Sequence, residues 1–485
     1  MLPQDIIDLI IDEFASTEDK TSLQVCNSVS RAFSARSRQQ LFANIELIAD
    51  GAVQRRAGRL RKILEADPDL APRIRSFKLI VGPFSKALDR GIETFGKVLG
   101  SRRLGKLGCR VGIQLKTMKN HLFWLLQTIS QVSQVPKFVL EGDTSYMDWM
   151  ALPTHVQNLL LRLCSKPQLQ ALELLNIYNL PAAIVTGNTT HAGSIRHLKL
   201  RNSSFTLSAA VNLNQNSMYL SKLRTLELAM NHSRSVSYQF RRRPQILDGD
   251  FIQMFPNHIP FLTDLAVGLT SKPDNVDSMW HLAITGAQTI EYLELRVYGV
   301  YFPPLISAFE ANYCEEMTTF SPIWSLSDMV ALKNLKITAY SFYYLEFDIG
   351  MDFIARFLQS PVSQVPLRSF TLDFYFQLLS PREPTDLTCP DVRRKWEILD
   401  EALSSSNFPD LQEVLVNFRV PQFDDFWDAD EICDAAKMLN GLYVFKGNRV
   451  DVKVKEIDEI YPLGRNSRSL SSYSFTAQEW TNILP

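Results

Sequence analysis

The residues that could do chemistry do not gather into a recognisable constellation. A phosphate-cradling loop is approached at Gly100-Ser101-Arg102-Arg103-Leu104-Gly105-Lys106-Leu107, where glycines could expose backbone N–H groups and Lys106 could reach a phosphate. Leu107 stands where a hydroxyl would bind magnesium, and no strand pattern precedes the segment, so it reads as an exposed loop. The histidines (His121, His155, His191, His197, His232, His258 and His281) include no HExxH, and only His191 and His197 lie close together. With no carboxylate or thiol at ligand spacing around them, no metal site is expected. The 6 cysteines (Cys26, Cys109, Cys164, Cys314, Cys389 and Cys433) form no CxxC pair, which points away from a zinc module or disulfide framework and toward a reducing compartment. There is no GxSxG, and a carboxylate pair such as Asp424-Asp425 is common in loops. The expectation is a chain that is not an enzyme and takes no cofactor.

The elements that would have to position any site come next. The 485 residues suggest two to four domains or one long repeat array. With 46% hydrophobic and 21% charged residues the chain can bury a sizeable core. Lys plus Arg total 51 against 52 Asp plus Glu, so no global field draws it to nucleic acid or an anionic membrane. One local exception runs from Thr94 to Leu140, which has no acidic residue while Lys97, Arg102, Arg103, Lys106, Arg110, Lys116 and Lys119 accumulate. It reads as a solvated loop, with an acidic partner or a phosphate backbone as the alternatives. No run reaches the roughly 18 apolar residues of a membrane span. The N-terminal apolar run is broken by Asp8 and lacks a basic leader, so it is not expected to be a signal peptide. The sequons at Asn188, Asn202 and Asn231 are then chance matches, and the expected compartment is cytoplasmic or nuclear.

Ile6, Ile7, Ile10, Ile11 and Phe14 recur at helical spacing behind Pro3, which a first turn tolerates. Ser16-Thr17-Glu18-Asp19 offers caps for a second segment with Leu23, Val25, Cys26 and Val29, followed by Ser30-Arg31-Ala32-Phe33 and Leu41-Phe42. Three short helices cannot bury this much apolar surface alone and need a partner. The series Leu2-Pro3-x-Asp5-Ile6-Ile7, Leu23, Cys26, Val29-Ser30-Arg31-x-Phe33, Leu41-Phe42 resembles an F-box, in the version common among fungal F-box proteins. The resemblance covers about a tenth of the chain. It implies docking on the adaptor subunit of an SCF-type cullin–RING ubiquitin ligase, through Leu2, Pro3, Ile6, Ile7, Leu23, Val29 and Phe33.

Beyond residue 40 the pattern apolar-x-x-apolar-x-apolar recurs, from Phe42-Ile45-Leu47 and Ile74-Phe77-Leu79 through Val135-Phe138-Leu140, Leu169-Leu172-Leu174, Ile195-Leu198-Leu200 and Leu223-Leu226-Leu228. It continues at Leu262-Leu265-Val267, Ile290-Leu293-Leu295, Leu332-Leu335-Ile337, Leu367-Phe370-Leu372 and Leu411-Val414-Val416. Its last two positions have the period of a half-buried strand. Helical patterns over 121–132, 156–163, 279–285, 305–309, 353–358 and 392–403 lie between copies, so each unit reads as strand, turn, helix, with strands stacking in parallel. This resembles the leucine-rich-repeat region that follows F-boxes. Most spacings, roughly 26 to 44 residues, exceed the usual 20 to 29. The asparagine expected three residues beyond the last apolar position fits at Asn231, but Ile177, Tyr298, Tyr340 and Tyr375 hold that place elsewhere, so the ladder should be mostly missing. A propeller fits poorly because it needs four strands per unit. Ordinary α/β domains are the alternative.

The expected fold class is therefore α/β: an N-terminal three-helix F-box, then an irregular leucine-rich-repeat-like solenoid with parallel strands on one face and helices on the other. The expected segments are 1–48 (F-box), 49–73 (helical linker), 74–460 (repeat region) and 461–485 (tail). Together these imply the substrate-recognition subunit of an SCF-type ligase, its partners the adaptor, through it a cullin, and a protein target of unknown identity. A scaffold in a non-ligase complex is the alternative; neither membrane nor nucleic acid is an expected partner. Side-chain alternation nominates Glu173, Lys199, Glu227, Glu294 and Lys336 as one exposed column on a concave face, with Arg201, Arg296 and Asp373 beside it, as the target-binding surface. The aromatic and acidic run Phe423 to Glu431, around Trp427, is a second candidate.

Overall fold

The computed structural model describes residues 3–16, 20–49, 53–81, 121–131, 134–142, 147–152, 154–181, 183–186, 194–206, 220, 222–229, 259–269, 280–298, 326–341, 354, 357–358, 365–376, 390–403, 408–421 and 449–457. The near P-loop, the basic residues from Lys97 to Lys119, Leu2, the 305–309 pattern, the Trp427 segment and the 461–485 tail lie outside them. The chain is mixed α/β, and it divides into two compact units between Leu223 and Arg224.

The first unit opens with helices α1 (Gln4–Ser16), α2 (Lys20–Val29) and α3 (Arg31–Ala43). Pro3 sits just ahead of α1, its carbonyl accepting from the Ile7 amide. Ser30 caps α3 by accepting from the Phe33 amide, the role its short hydroxyl side chain suits. Spacing of four and the short α1–α2 connection bring Ile7 and Ile11 against Leu23, with Phe14, Ala15, Phe33 and Leu41 packed around them. Each such burial contributes about 1.5–3 kcal/mol. Polar contacts pin α3 to α1: Arg36 reaches both carboxylate oxygens of Asp12 at 2.9 and 2.6 Å, and Gln40 donates to the same group at 2.6 Å. The Arg36 guanidinium beside Asp12 holds its carboxyl below the usual range.

Parallel pairing begins at once. Strands β1 (Asn44–Ala49), β2 (Ser76–Val81), β3 (Lys137–Gly142), β5 (Ala171–Leu175) and β8 (His197–Arg201) stack in that order. Short strands β4 (Met147–Asp148), β6 (Ile177–Tyr178), β7 (Leu180–Pro181) and β9 (Phe205–Thr206) make two small parallel pairs, β4 with β6 and β7 with β9. In the second unit β10 (Thr225–Ala229), β11 (Asp264–Leu269), β12 (Tyr292–Tyr298), β13 (Asn334–Ser341), β14 (Ser369–Phe376), β15 (Glu413–Pro421) and β16 (Arg449–Ile457) stack likewise.

Every expected copy of the motif lands on one of these strands, with equivalent apolar residues paired. Ile45, Phe77, Phe138, Leu172 and Leu198 form one register line, and Leu226, Leu265, Leu293, Leu335, Phe370 and Val414 another. All are buried. β16 extends the second line by pairing Val450 with Val414, yet the motif misses it because Gly447 stands where the first apolar residue belongs. The connecting helical patterns appear over 121–131, Thr154–Cys164, 280–285 and Pro390–Ala402. They pack on the core side: Trp396 of the last meets Phe374 of β14 edge-on at 5.7 Å.

A recurring contact sets the register. The carbonyl just before one strand accepts from two successive amides of the next unit: Pro136 from Gln170 and Ala171, Gln170 from Arg196 and His197, Thr263 from Glu291 and Tyr292. Glu291, Lys333 and Arg368 repeat the arrangement.

The expectation that the asparagine ladder is mostly missing needs correction in the first unit, where it sits one residue earlier. Asn176 and Asn202, each two residues past the last apolar position, adopt φ of 58° and 50°, which asparagine tolerates. Asn202 donates to the Asn176 side-chain oxygen at 2.9 Å, and Asn176 donates to the Gly142 carbonyl at 3.1 Å. The Asn202 sequon is thus 6% exposed and tied into the ladder. Gly142 is required because a Cβ there would collide with the Asn176 carbonyl oxygen and lie 2.9 Å from the Met147 amide nitrogen. Gly142→Ala should therefore lower stability by about 1–3 kcal/mol, measured by thermal unfolding; an unchanged midpoint would show that the backbone yields freely.

Candidate functional site

The helical end of the first unit separates the seven residues assigned to adaptor binding by burial. Ile7 and Leu23, each 4% exposed, lie in the helical core, and Phe33 packs against it. They can only support a surface, because spacing of four turns them toward the partner helices. Pro3, Ile6 and Val29 lie on the outside, and Leu2 is outside the described residues. Two further residues join the outward group: Leu9 at 68% and Val25 at 59%, with Val29 at 62% and Ile6 at 40%. Leu9 and Val25 could have been found in the sequence, since each is apolar yet lies off the stripe that its helix buries. Four of the seven exposed large hydrophobics among the described residues thus sit on two adjoining helices, an arrangement usual for interfaces.

The second surface is the sheet face opposite the core. Register places the nominated residues as alternation requires. Glu173 pairs with Lys199 in the first unit, while Glu227, Ala266, Glu294 and Lys336 run side by side in the second. Beside that second line run Gly268, Arg296, Thr338, Asp373 and Asn417. In the first unit Glu173 is bound by Lys137 at 2.7 Å, and Lys199 and Arg201 are partly exposed.

The second unit departs from the expected open column. Glu294 is 7% exposed and Asp373 0%, so neither is the solvated group that alternation alone suggested. Both are enclosed in a polar network. Arg296 makes a two-pronged contact with Glu294 at 3.1 and 2.9 Å and reaches Glu227 at 2.6 Å. That reach passes over β11, whose Ala266 and Gly268, paired with Glu294 and Arg296, leave the space a guanidinium needs. Thr338 donates to Glu294 at 3.1 Å, Lys336 approaches Glu294 at 3.5 Å and Asp373 at 3.0 Å, and Asn417 donates to Asp373. Thr338 and Asn417 escaped the sequence reading although they occupy the same position as Arg296, one residue past the motif.

Burial alone would raise the Glu294 carboxyl, but the Arg296 hydrogen bonds and charge, Lys336 and Thr338 outweigh it and hold it below the usual range. Burial likewise opposes the charged forms of Arg296 and Lys336, and their carboxylate neighbours reverse the effect in both. The network is a set of fixed charges, suited to holding a shape or presenting a pattern to a partner. Among the described residues no group of three or more His, Cys, Asp or Glu is placed to hold a metal, and no helix is long and apolar enough to cross a membrane.

No protein-family model matches the chain, and no curated protein is detectably similar to it.

Removing Arg296 leaves Glu294 enclosed without its main counter-charge, so Arg296→Met should cost about 3 kcal/mol in urea unfolding. The same network predicts acid sensitivity. A folded-state pKa held below the unfolded one gives stability that is complete above the ordinary glutamate range of about 4.3 and is lost as pH falls through the lower folded value. In Arg296→Met the acid loss should begin at higher pH; coincident acid profiles would show that the network does not govern it.

Proposed function

We propose that this chain is the substrate-recognition subunit of an SCF-type cullin–RING ubiquitin ligase, with an F-box at its N-terminus and an irregular leucine-rich-repeat-like solenoid behind it. The observation that carries the reading is the outward apolar group of Ile6, Leu9, Val25 and Val29, held on helices whose other faces are filled by Ile7, Ile11 and Leu23. A three-helix unit that has a core and still exposes such residues is built to dock. The order and spacing of Pro3, Asp5, Ile6, Ile7, Ser30 and Phe33 match the resemblance to fungal F-box proteins, and the repeated strand and helix units suit the companion region.

In this reading the adaptor binds the α1–α2 surface and brings a cullin, while the protein target binds the polar sheet face. The chain supplies no catalytic group; it raises the local concentration of target beside the transfer machinery. Such a role belongs to the cytoplasm or nucleus. Glu294 and Asp373 are enclosed, so the nominated groups that stay partly exposed, Glu173, Lys199 and Arg201 in the first unit and Lys336 in the second, are the ones that meet a target.

Two measurements test this. Leu9→Asp with Val29→Asp should weaken capture of the adaptor by about 1–3 kcal/mol or more, the scale of buried interface anchors, while far-UV circular dichroism stays native. Retained capture would remove the F-box assignment. Co-expression with adaptor and cullin then separates the ligase from a scaffold: adaptor binding without cullin recruitment would favour a non-ligase complex. Lys199→Glu with Arg201→Glu should leave adaptor capture intact and abolish capture of the target obtained from cells with degradation blocked; persistence of that target would move recognition off this part of the face.

A further inference from the structure

Helix α4 (Val53–Ala66) carries its charge against the rules that stabilise a helix. From Val53 to Leu64 it has five cations and no acid. Two cations are used internally. Arg56 donates to the Ile48 carbonyl at 2.7 Å, and Arg61 pairs with Glu65 at 2.7 Å while lying over the Trp124 ring at 4.7 Å. The other three, Arg55, Arg59 and Lys62, are exposed and make no ion pair or hydrogen bond among the described residues. They recur at the spacings of four and three that put them on one face.

That arrangement has a local cost on two counts. Like charges at these spacings repel, and Arg55 near the N-terminus with Glu65 near the C-terminus opposes the helix dipole at both ends. Among the described residues no carboxylate pairs with these three exposed side chains to offset it. Other surface cations of this unit do find carboxylates: Arg36 with Asp12, Arg38 with Asp67, Lys78 with Glu141, Lys137 with Glu173. The chain returns to α4 at His121, whose ring lies 3.6 Å from where a Gly58 Cβ would be. The residues leading there from Thr94 include no acid.

We propose that the Arg55, Arg59 and Lys62 face of α4 is a docking surface for an acidic polypeptide segment, one that presents carboxylates along about 10 Å, the length these residues span. Nucleic acid fits less well. The whole chain carries a net charge of -1, which gives a long polyanion no favourable field, and the aromatic ring beside α4, Trp124, is covered by Arg61 and offers no stacking platform. The surface is independent of the apolar group on α1 and α2, so it stands whether or not the ligase reading does.

The test uses the full chain and a fluorescein-labelled oligoglutamate peptide followed by anisotropy at low and physiological salt. The wild type should bind with affinity that falls as salt rises. Arg55→Glu/Arg59→Glu/Lys62→Glu should weaken binding by about tenfold or more with an unchanged or raised thermal midpoint, because the repulsion and the dipole conflict are both relieved. The control Arg393→Glu/Arg394→Glu, on the Pro390–Ala402 helix, should bind as the wild type does. If the triple reversal fails to fold, Arg55→Gln/Arg59→Gln/Lys62→Gln carries the same expectation for binding. Binding undiminished in the folded variant, or equal loss in the control, overturns the proposal. So does a single-stranded oligonucleotide that binds more tightly than the peptide and is lost with the same three residues.

Discussion

Everything described in this protein depends on parallel strands being held in one register. In a strand the side chains alternate, so a slip of one residue would carry each buried pair to solvent and each charge into the core. The units differ in length and in what connects them, yet Leu293, Leu335, Phe370 and Val414 stay opposite one another. Two interactions enforce this. The apolar pair must face the helices, and the shared carbonyl before each strand, as at Pro136 or Thr263, locks the next unit through two amides at once. A unit can then vary its connection freely, because the register is settled where the strand begins.

The same constraint creates the polar network on the opposite face. Residues one past the motif are forced into a line, so Arg296, Thr338, Asp373 and Asn417 become neighbours although 121 positions separate the first from the last in the chain. Neighbouring strands lie about 4.8 Å apart, too close for a row of like charges and well suited to alternating ones. Small residues on β11 let Arg296 extend across a strand, and larger ones there would have closed the route to Glu227. The face is therefore partly structural. Its inner charges fix each other.

The repeated strands were legible in the sequence because a period of two with a third apolar residue in advance is a local signal, repeated often enough to exceed coincidence. The helices over 121–131, Thr154–Cys164, 280–285 and Pro390–Ala402 were legible because the helical period is likewise a local signal. What escaped was whatever depends on neighbours. β16 lacks the advance residue at Gly447 and is identified only by its pairing with β15. The asparagines escaped because their place is set by where the chain bends, at residues 176 and 202 with positive φ, one position earlier than the sequence reading expected. Alternation correctly chose the face for Glu294 and Asp373 but could not give their exposure, which follows from the long side chains of adjacent strands. In the N-terminal helices the apolar pattern announced amphipathic segments and already set Leu9 off the stripe that carries Ile7 and Ile11, but how far each is covered, 68% exposed for Leu9 against 4% for Ile7, follows from the packing.

The two ends of the first unit's helical region show how a physical mismatch marks a surface. On α1 and α2 the mismatch is apolar: side chains of the kind that stabilise a core remain partly in water and forgo a share of the about 1.5–3 kcal/mol that full burial would give. On α4 it is electrostatic: cations stand beside cations and against the dipole, although an acid at Arg55 or Arg59 would serve the helix better. Neither arrangement improves the isolated fold, and each would be relieved by a partner of the opposite character, apolar in one case and acidic in the other. A helix whose sequence disagrees with its own stability, at exposed positions that its neighbours among the described residues do not offset, is best understood through what it meets outside the chain.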